Sequence, residues 1–311
     1  MAQSEPVRQQ TLNAEERRRR RLWAVIKYNL QAYLFLLPAI ILFAMFNWYP
    51  TLQGFLLSFK KVDPTFEHHT WVGLENFKRV IGDPLFWISW KNVLFYTVVA
   101  ISFGYVVPVI MAIAVNEMRW QGYFRLAFYL PVILPAVVTA LLWRFIFDPR
   151  PVGLANAFLG LFGLGPSPWL QSARTAMPSI WIVTTWAGAG GAMLMYVAAL
   201  QGIPPELYDA AEIDGANLWR RIWHVTLPQI RFLMLLTLVG QFVGNIQLFT
   251  EPFVLTGGGP VNATVTPVMM LYKYGFTFGD YGAASAWGLL MFLFLAAFSI
   301  YYMRMTIFRL K

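Results

Sequence analysis

Residues 201–228 read QGIPPELYDAAEIDGANLWRRIWHVTLP, and they separate two apolar runs, AMPSIWIVTTWAGAGGAMLMYVAAL at 176–200 and IRFLMLLTLVGQFVGNIQLFT at 230–250. A hydrocarbon core of about 30 Å takes roughly 20 mostly apolar residues of helix to cross. Both flanks are long enough, so the polar stretch joins two membrane spans on one side of the bilayer. Its own signals predict a helix, a turn and a second helix. Pro204 and Pro205 followed by Glu206 open the first, because proline fits the first turn and a carboxylate suits the positive end of the helix dipole. Gly215 can take the left-handed conformation that ends it. Asn217 then caps a second helix with Leu218, Trp219, Ile222 and Trp223 at helical spacing, and Pro228 is expected after its close. Small Ala210 and Ala211 stand beside Asp209 and Asp214, so another protein's backbone can approach closely and the loop reads as a docking knob. The competing reading is an amphipathic helix resting on lipid headgroups.

Four more apolar stretches of spanning length flank this pair, at about 32–49, 93–115, 126–147 and 282–303. Composition agrees: 58% of the 311 residues are hydrophobic and 13% charged, against about 45–50% and about 25% in soluble domains. Only helices and closed barrels satisfy every backbone group in lipid, and runs this long without alternation exclude a barrel. The expected fold is all-α, a polytopic membrane protein of six transmembrane helices. A basic tail at 1–30 precedes a membrane domain at 31–311 that carries the 201–228 loop. Placing the N-terminus in the cytoplasm puts 15 of the 24 Lys and Arg residues there, dominated by Arg17 to Arg21, so both termini are expected to be cytoplasmic. This bias explains the net charge of +9 without nucleic acid as a partner. The first span is too long for a secretory signal and lacks small residues before Phe46, Trp48 and Tyr49, so it is expected to stay attached. The outward segment at about 50–92 is expected to form short interfacial helices, and its adjacent His68 and His69 read as solvated loop rather than a metal site.

The 201–228 stretch also resembles a known motif. Asp209, Ala210 and Ala211 are followed after three residues by Gly215, and after nine more by Val225, Leu227 and Pro228, which is similar to the motif of binding-protein-dependent ABC permeases. The one departure is Asp209, where glutamate is commoner in the family. The resemblance extends to WVGLENF at 71–77 and LTGGGP at 255–260, which look like the carbohydrate branch, alongside permeases for maltose, other oligosaccharides and glycerol 3-phosphate. It implies a type I ABC importer permease fold in a bacterial cytoplasmic membrane, with the loop as a coupling helix inserted into a cytoplasmic ATPase subunit. It further implies two copies of that ATPase, an extracytoplasmic solute-binding protein, and a second, nonidentical permease to complete the pore.

The residues that remain say what passes and what does not happen here. Gly257, Gly258 and Gly259 invite a phosphate-loop reading, but no Gly-Lys-Ser/Thr follows, so the turn reads as a stiff outward connector. No nucleophile–base set, carboxylate pair or metal cluster stands out, so neither catalytic residue nor cofactor is expected, and ATP hydrolysis falls to a partner. The middles of the six spans hold no Asp, Glu, Lys, Arg or His, which argues against a proton-coupled carrier. They do hold neutral polar groups: Thr184 and Gly188 share one face of the fourth span, and Thr237, Gln241, Gly244 and Asn245 one face of the fifth. Amides and hydroxyls beside bare glycine backbone suit a hydroxyl-rich neutral solute, although GAGGA at 188–192 equally fits helix packing. In the family, sugar is contacted from the two spans flanking the coupling loop. The competing functional class is a secondary transporter or channel for a neutral polar solute, working without an ATPase.

Overall fold

The computed structural model describes residues 5–63 and 69–307. His68, Arg309 and Lys311 lie outside the described residues, as do the side chains of Arg17, Arg18 and Arg20. Two compact units emerge, divided at Leu56 and Leu57. The first holds α1 (Glu5–Phe43), a π-helical turn (Ala44–Trp48) and most of α2 (Tyr49–Leu57). The basic tail is thus helical from Glu5 and runs unbroken into an apolar span of 25 residues, Tyr33–Leu57.

Among the described residues of the second unit the regular structure is helical apart from a small antiparallel hairpin, β1 (Lys60–Val62) and β2 (His69–Trp71), which pairs Lys61 with Thr70 and Val62 with His69. The outward segment was expected to form short interfacial helices; among the described residues one is present, α3 (Glu75–Gly82), and the hairpin stands beside it. Three-residue strands carry too little periodicity to be seen in sequence. The hairpin sits against the start of the last span: a side chain at Gly282 would meet the Lys60 carbonyl oxygen at 2.4 Å, and Asn76 Nδ2 donates to that oxygen at 2.8 Å and to Ser58 O at 3.0 Å.

The second span begins nine residues earlier than 93, because Asp83 caps α4 (Pro84–Val99) by accepting from Leu85 N at 2.8 Å and Pro84 fills the first turn. A π-helical turn (Ala100–Gly104) joins it to α5 (Val106–Glu117). The third apolar stretch is not the single helix expected over 126–147. It consists of α6 (Gln121–Ile133) and α7 (Ala136–Ile146), bent by 98°. Pro135 forces the break: it offers no N–H to continue the ladder, and it drives Leu134 into extended backbone at φ −73 and ψ 133. After α8 (Leu154–Gly160) comes α9 (Ala176–Gln201), the central helix, whose buried residues run from Ala176 to Leu200 and which packs against α4, α5, α6, α7 and later helices.

Then come α10 (Pro205–Ile213), α11 (Leu218–Arg221), a π-helical turn (Ile222–Thr226) and α12 (Leu227–Ile246). Pro228 therefore does not end a separate second helix, because the chain is helical from Leu218 through Ile246. The π turn makes this possible. Proline crowds the carbonyl four residues back, and the wider register, seen in Leu227 N bonding Ile222 O, relieves that crowding. Among the described residues the π turns at 44–48 and 100–104 likewise precede a proline, Pro50 and Pro108. The chain ends through α13 (Thr250–Thr256), α14 (Pro267–Tyr272) and α15 (Tyr281–Ile307). Among the described residues five helices are long and apolar enough to cross a membrane, and six if the bent pair counts as one span.

Candidate functional site

A cavity of about 530 Å³ opens between α4, α5, α9 and α12. Thr184, Gly188, Gln241 and Asn245 all line it, so four of the five residues expected on a pathway are brought together from two spans. Gly244 is not: it is exposed, and nothing lies within 4 Å of where its side chain would point. One turn earlier on α12, Gly240 does join the wall.

None of the lining residues is charged. The hydroxyls are organised by the protein itself: Tyr96 donates to Thr184 Oγ1 at 2.8 Å, and Thr184 donates on to Trp181 O at 3.0 Å. Across the cavity, Tyr196 OH and Thr237 Oγ1 lie 2.7 Å apart, and Tyr105 OH donates to Met234 O. Gln241 Nε2 reaches Ala100 O at 3.4 Å, the same carbonyl that accepts the π-register bond from Tyr105 N at 2.9 Å. Asn245 Nδ2 is shielded from solvent and has no hydrogen-bond partner among the described residues. A buried donor left unpaired is costly. The three tyrosines were missed in the sequence because tyrosine is ordinarily read as an interfacial anchor; the available signal was Tyr105 at the middle of the second span.

Glycines 188 to 191 divide the two jobs that sequence left open. Gly188 faces the cavity with open space beside it, while a side chain at Gly190 would strike the Phe128 carbonyl oxygen at 1.9 Å. Gly190 is therefore where α9 and α6 cross backbone to backbone, and Gly188 is part of the cavity wall.

The 201–228 loop has the helix–turn geometry its sequence predicts. Gly215 lies at φ +72, Ala216 N bonds Ala211 O at 2.9 Å and Gly215 N bonds Glu212 O at 3.0 Å, the paired bonds of a Schellman closure. Asn217 caps α11 by accepting from Arg220 N at 2.9 Å. Asp209 and Ala210 are exposed and Ala211 is half-buried; beside them Ile213 is 87% exposed. No residue of α10 is buried. An element with so little burial is held by polar links: Tyr208 OH lies 3.2 Å from Thr226 Oγ1, and Arg221 pairs with Glu212 at 3.6 Å. Thr226 is 5% exposed, so its bond is sheltered, whereas the Glu212 pair is open to water and screening. Val225, Leu227 and Pro228 lie in and just after the π turn that this bond grips.

The glycine-rich connector is folded tightly. Gly257 closes α13 in the left-handed conformation, Thr256 and Thr264 hydroxyls meet at 2.6 Å, and Asn92 donates to the carbonyls of Asn262 and Val265 at 2.8 and 3.0 Å. Asp83 accepts from Tyr274 OH at 2.8 Å, and Arg79 pairs with Asp280 at 2.8 Å, locking this face to α3 and α4.

A bundle of apolar helices around an uncharged cavity, with a structured polar loop joining two of the cavity's walls, defines a membrane permease. The chain belongs to the family described as binding-protein-dependent transport system inner membrane component, whose profile matches residues 104–306. It is 34% identical over 277 residues to "Probable ABC transporter permease protein YurN" of Bacillus subtilis (strain 168), covering 88% of this chain and 94% of that one. It is 31% identical to the trehalose/maltose transport system permease protein MalF of Thermococcus litoralis, covering 89% and 94%. Among solved structures it resembles a bacterial alginate ABC transporter in complex with alginate pentasaccharide-bound periplasmic protein, at 26% identity and a TM-score of 0.81 over 92% of this chain and 97% of that one. The chain is thus a membrane-embedded permease subunit of an ABC importer with the type I fold, and ATP hydrolysis belongs to a separate subunit. That membership sets aside a secondary transporter or channel.

Proposed function

We propose that the chain moves a sugar or related polyol inward by alternating access, driven through residues 201–228 by two cytoplasmic ATPase subunits. A second, nonidentical permease completes the pore, and an extracytoplasmic binding protein delivers the solute. Both termini then face the cytoplasm of a bacterial cell, with the tail at 1–30 on that side and the membrane domain over 31–311. The observation that carries the reading is a shared pair of helices: the loop joins α9 to α12, and these same helices supply Thr184, Gly188, Thr237, Gln241 and Asn245 to the cavity. From Gly188 to Gln201, and from Pro228 to Gln241, the path is roughly 20 Å of helix on either side. A displacement of the loop therefore reaches both walls at the same depth.

The uncharged lining favours a neutral hydroxyl-rich solute, for which each hydroxyl both donates and accepts. The trehalose/maltose relative supports the same class. In this mechanism Asp209, Ala210, Ala211 and Gly215 form the surface gripped by the ATPase, and Val225, Leu227 and Pro228 pass the motion to α12. The test is uptake of radiolabelled maltose and trehalose into proteoliposomes holding the whole transporter, with binding protein outside and ATP inside. Uptake that requires ATP and falls severalfold in Asn245→Leu is expected; uptake unaffected by omitting ATP would overturn the proposal.

A further inference from the structure

Between the bent third span and α9, residues 151–173 carry no charged side chain. Within 151–165 the only polar side chain is Asn156, and it is turned inward. Its Nδ2 donates to Pro149 O at 3.0 Å and to Ser167 O at 3.1 Å, and its Oδ1 accepts from Ser167 N at 2.9 Å and from Trp169 Nε1 at 2.7 Å. Gly153 is pressed against the Asp148 carbonyl oxygen, which a side chain there would meet at 2.2 Å. The segment is therefore a built loop. It turns its polar group to the inside and its apolar ones out: Val152, Leu154, Phe158, Leu161, Phe162 and Leu164 are each between 58 and 80% exposed.

The backbone follows the same rule. Leu161 N bonds Phe158 O, Phe162 N bonds Leu159 O, and Gly163, at φ +72, closes α8 with Gly163 N on Gly160 O at 3.0 Å and Leu164 N on Leu159 O at 3.2 Å. Amide donors satisfied inside the loop, together with a surface of leucine and phenylalanine, suit a medium that offers no hydrogen bonds. A patch of this kind on a water-facing loop would aggregate. A protein partner ordinarily brings about one hydrogen bond per 100–200 Å², and residues 151–165 present no side chain that could make one; the exposed charges, Arg150 and Arg174, stand at the two edges of the patch, where lipid headgroups would meet them. We infer that this loop is a membrane foot: its Val152–Leu164 face lies in the headgroup and upper acyl region of the bilayer and fixes the end of α7 that follows the 98° bend.

The chain contains no cysteine, so single labels can be placed without background. Phe158→Cys, Leu161→Cys and Phe162→Cys, each carrying a nitroxide, are compared in the intact transporter in lipid nanodiscs by collision with oxygen and with a water-soluble nickel chelate. All three native side chains are exposed, so none of these labels disturbs a core. Oxygen collisions exceeding nickel collisions at all three positions, a positive depth parameter, is the expected result. Nickel exceeding oxygen would place the loop in water, and protection from both would place it under the second permease or the binding protein; either overturns the inference. Because no sugar or ATP enters the measurement, a failure of the transport reading leaves this outcome untouched.

Discussion

Replacing Gly190 by alanine should loosen the membrane bundle, while the same change two residues earlier should not. The added methyl at 190 would lie 1.9 Å from the Phe128 carbonyl oxygen, 2.7 Å from its carbon and 3.1 Å from Tyr129 Cα. These are backbone atoms, so no side chain can swing aside, and α6 must retreat by more than about 1 Å to restore normal contact. Overpacking of a tight interior costs about 1–3 kcal/mol, and a clash with backbone belongs at the upper end. Removing a helical glycine returns about 1 kcal/mol, leaving a net loss of about 2 kcal/mol. Gly188→Ala meets nothing within 4 Å, and Gly191→Ala meets only the Val132 methyls at 3.8 Å, an ordinary contact. Both should keep or slightly raise stability, but Gly188→Ala should slow uptake because its methyl enters the cavity. The assay is the temperature at which half of the purified permease loses its monodisperse elution peak. An unchanged midpoint for Gly190→Ala, or an equal drop for Gly188→Ala, would refute the division of labour drawn from these distances.

Tyr208→Phe removes the sheltered bond to Thr226, worth about 1 kcal/mol, without changing ring shape. ATPase copurification should persist while sugar taken up per ATP falls, Thr226→Val should match it and Thr226→Ser should not; an unchanged ratio argues against the link. Ala211→Trp puts bulk on the proposed docking surface and should abolish recovery of the ATPase subunit in a pull-down, with normal recovery counting against the assignment. Tyr274 is held protonated by partial burial and by its bond to Asp83, with its pKa raised from 10.0 to about 12. Since the folded value is the higher one, the contribution of this bond is whole below pH 10 and lost as pH rises toward 12, so the tyrosinate absorbance of wild type minus Tyr274→Phe should titrate late. A difference spectrum already complete near pH 10 would contradict the bond.

The spans were legible because hydrocarbon imposes a length and an apolar composition that no local detail can disguise. The helix–turn shape of the 201–228 loop was legible because Pro205, Gly215 and Asn217 each have a backbone role that few other residues fill, and all three take it. What escaped depends on relations between distant residues. Pro228 was expected to end a helix, yet a π turn absorbs it, with Thr226 and Ile230 buried on either side of the proline. The reverse happened at Pro135, where sequence read one span and the chain turns by 98°. Thr237, Gln241 and Asn245 were readable as one helical face; that Tyr96, Tyr105 and Tyr196 would meet the polar faces of α9 and α12 was not, since helical periodicity shows which face is polar but not what stands opposite.

If residues 201–228 are gripped by the ATPase as proposed, why they should move the cavity rather than merely bend follows from where the chain is stiff. Helix α9 runs without interruption from the cavity to Gln201, and α12 continues helically from Leu218 past Asn245. A push on Ala210 and Ile213 cannot be stored in α10, which buries nothing and is tied down through Tyr208. It is delivered to Thr226, inside the π turn, where i to i+5 bonding leaves the helix most easily reshaped. The second π turn, Ala100–Gly104, lies at the far end of the same path, with Ala100 O reached by Gln241 and Gly104 facing Thr185. Stiff helix between two adjustable turns is a lever with a joint at each end. Stiffening the inner joint, by replacing Pro108 so that the 100–104 register could relax to α-helix, should therefore depress transport more than it alters ATPase binding.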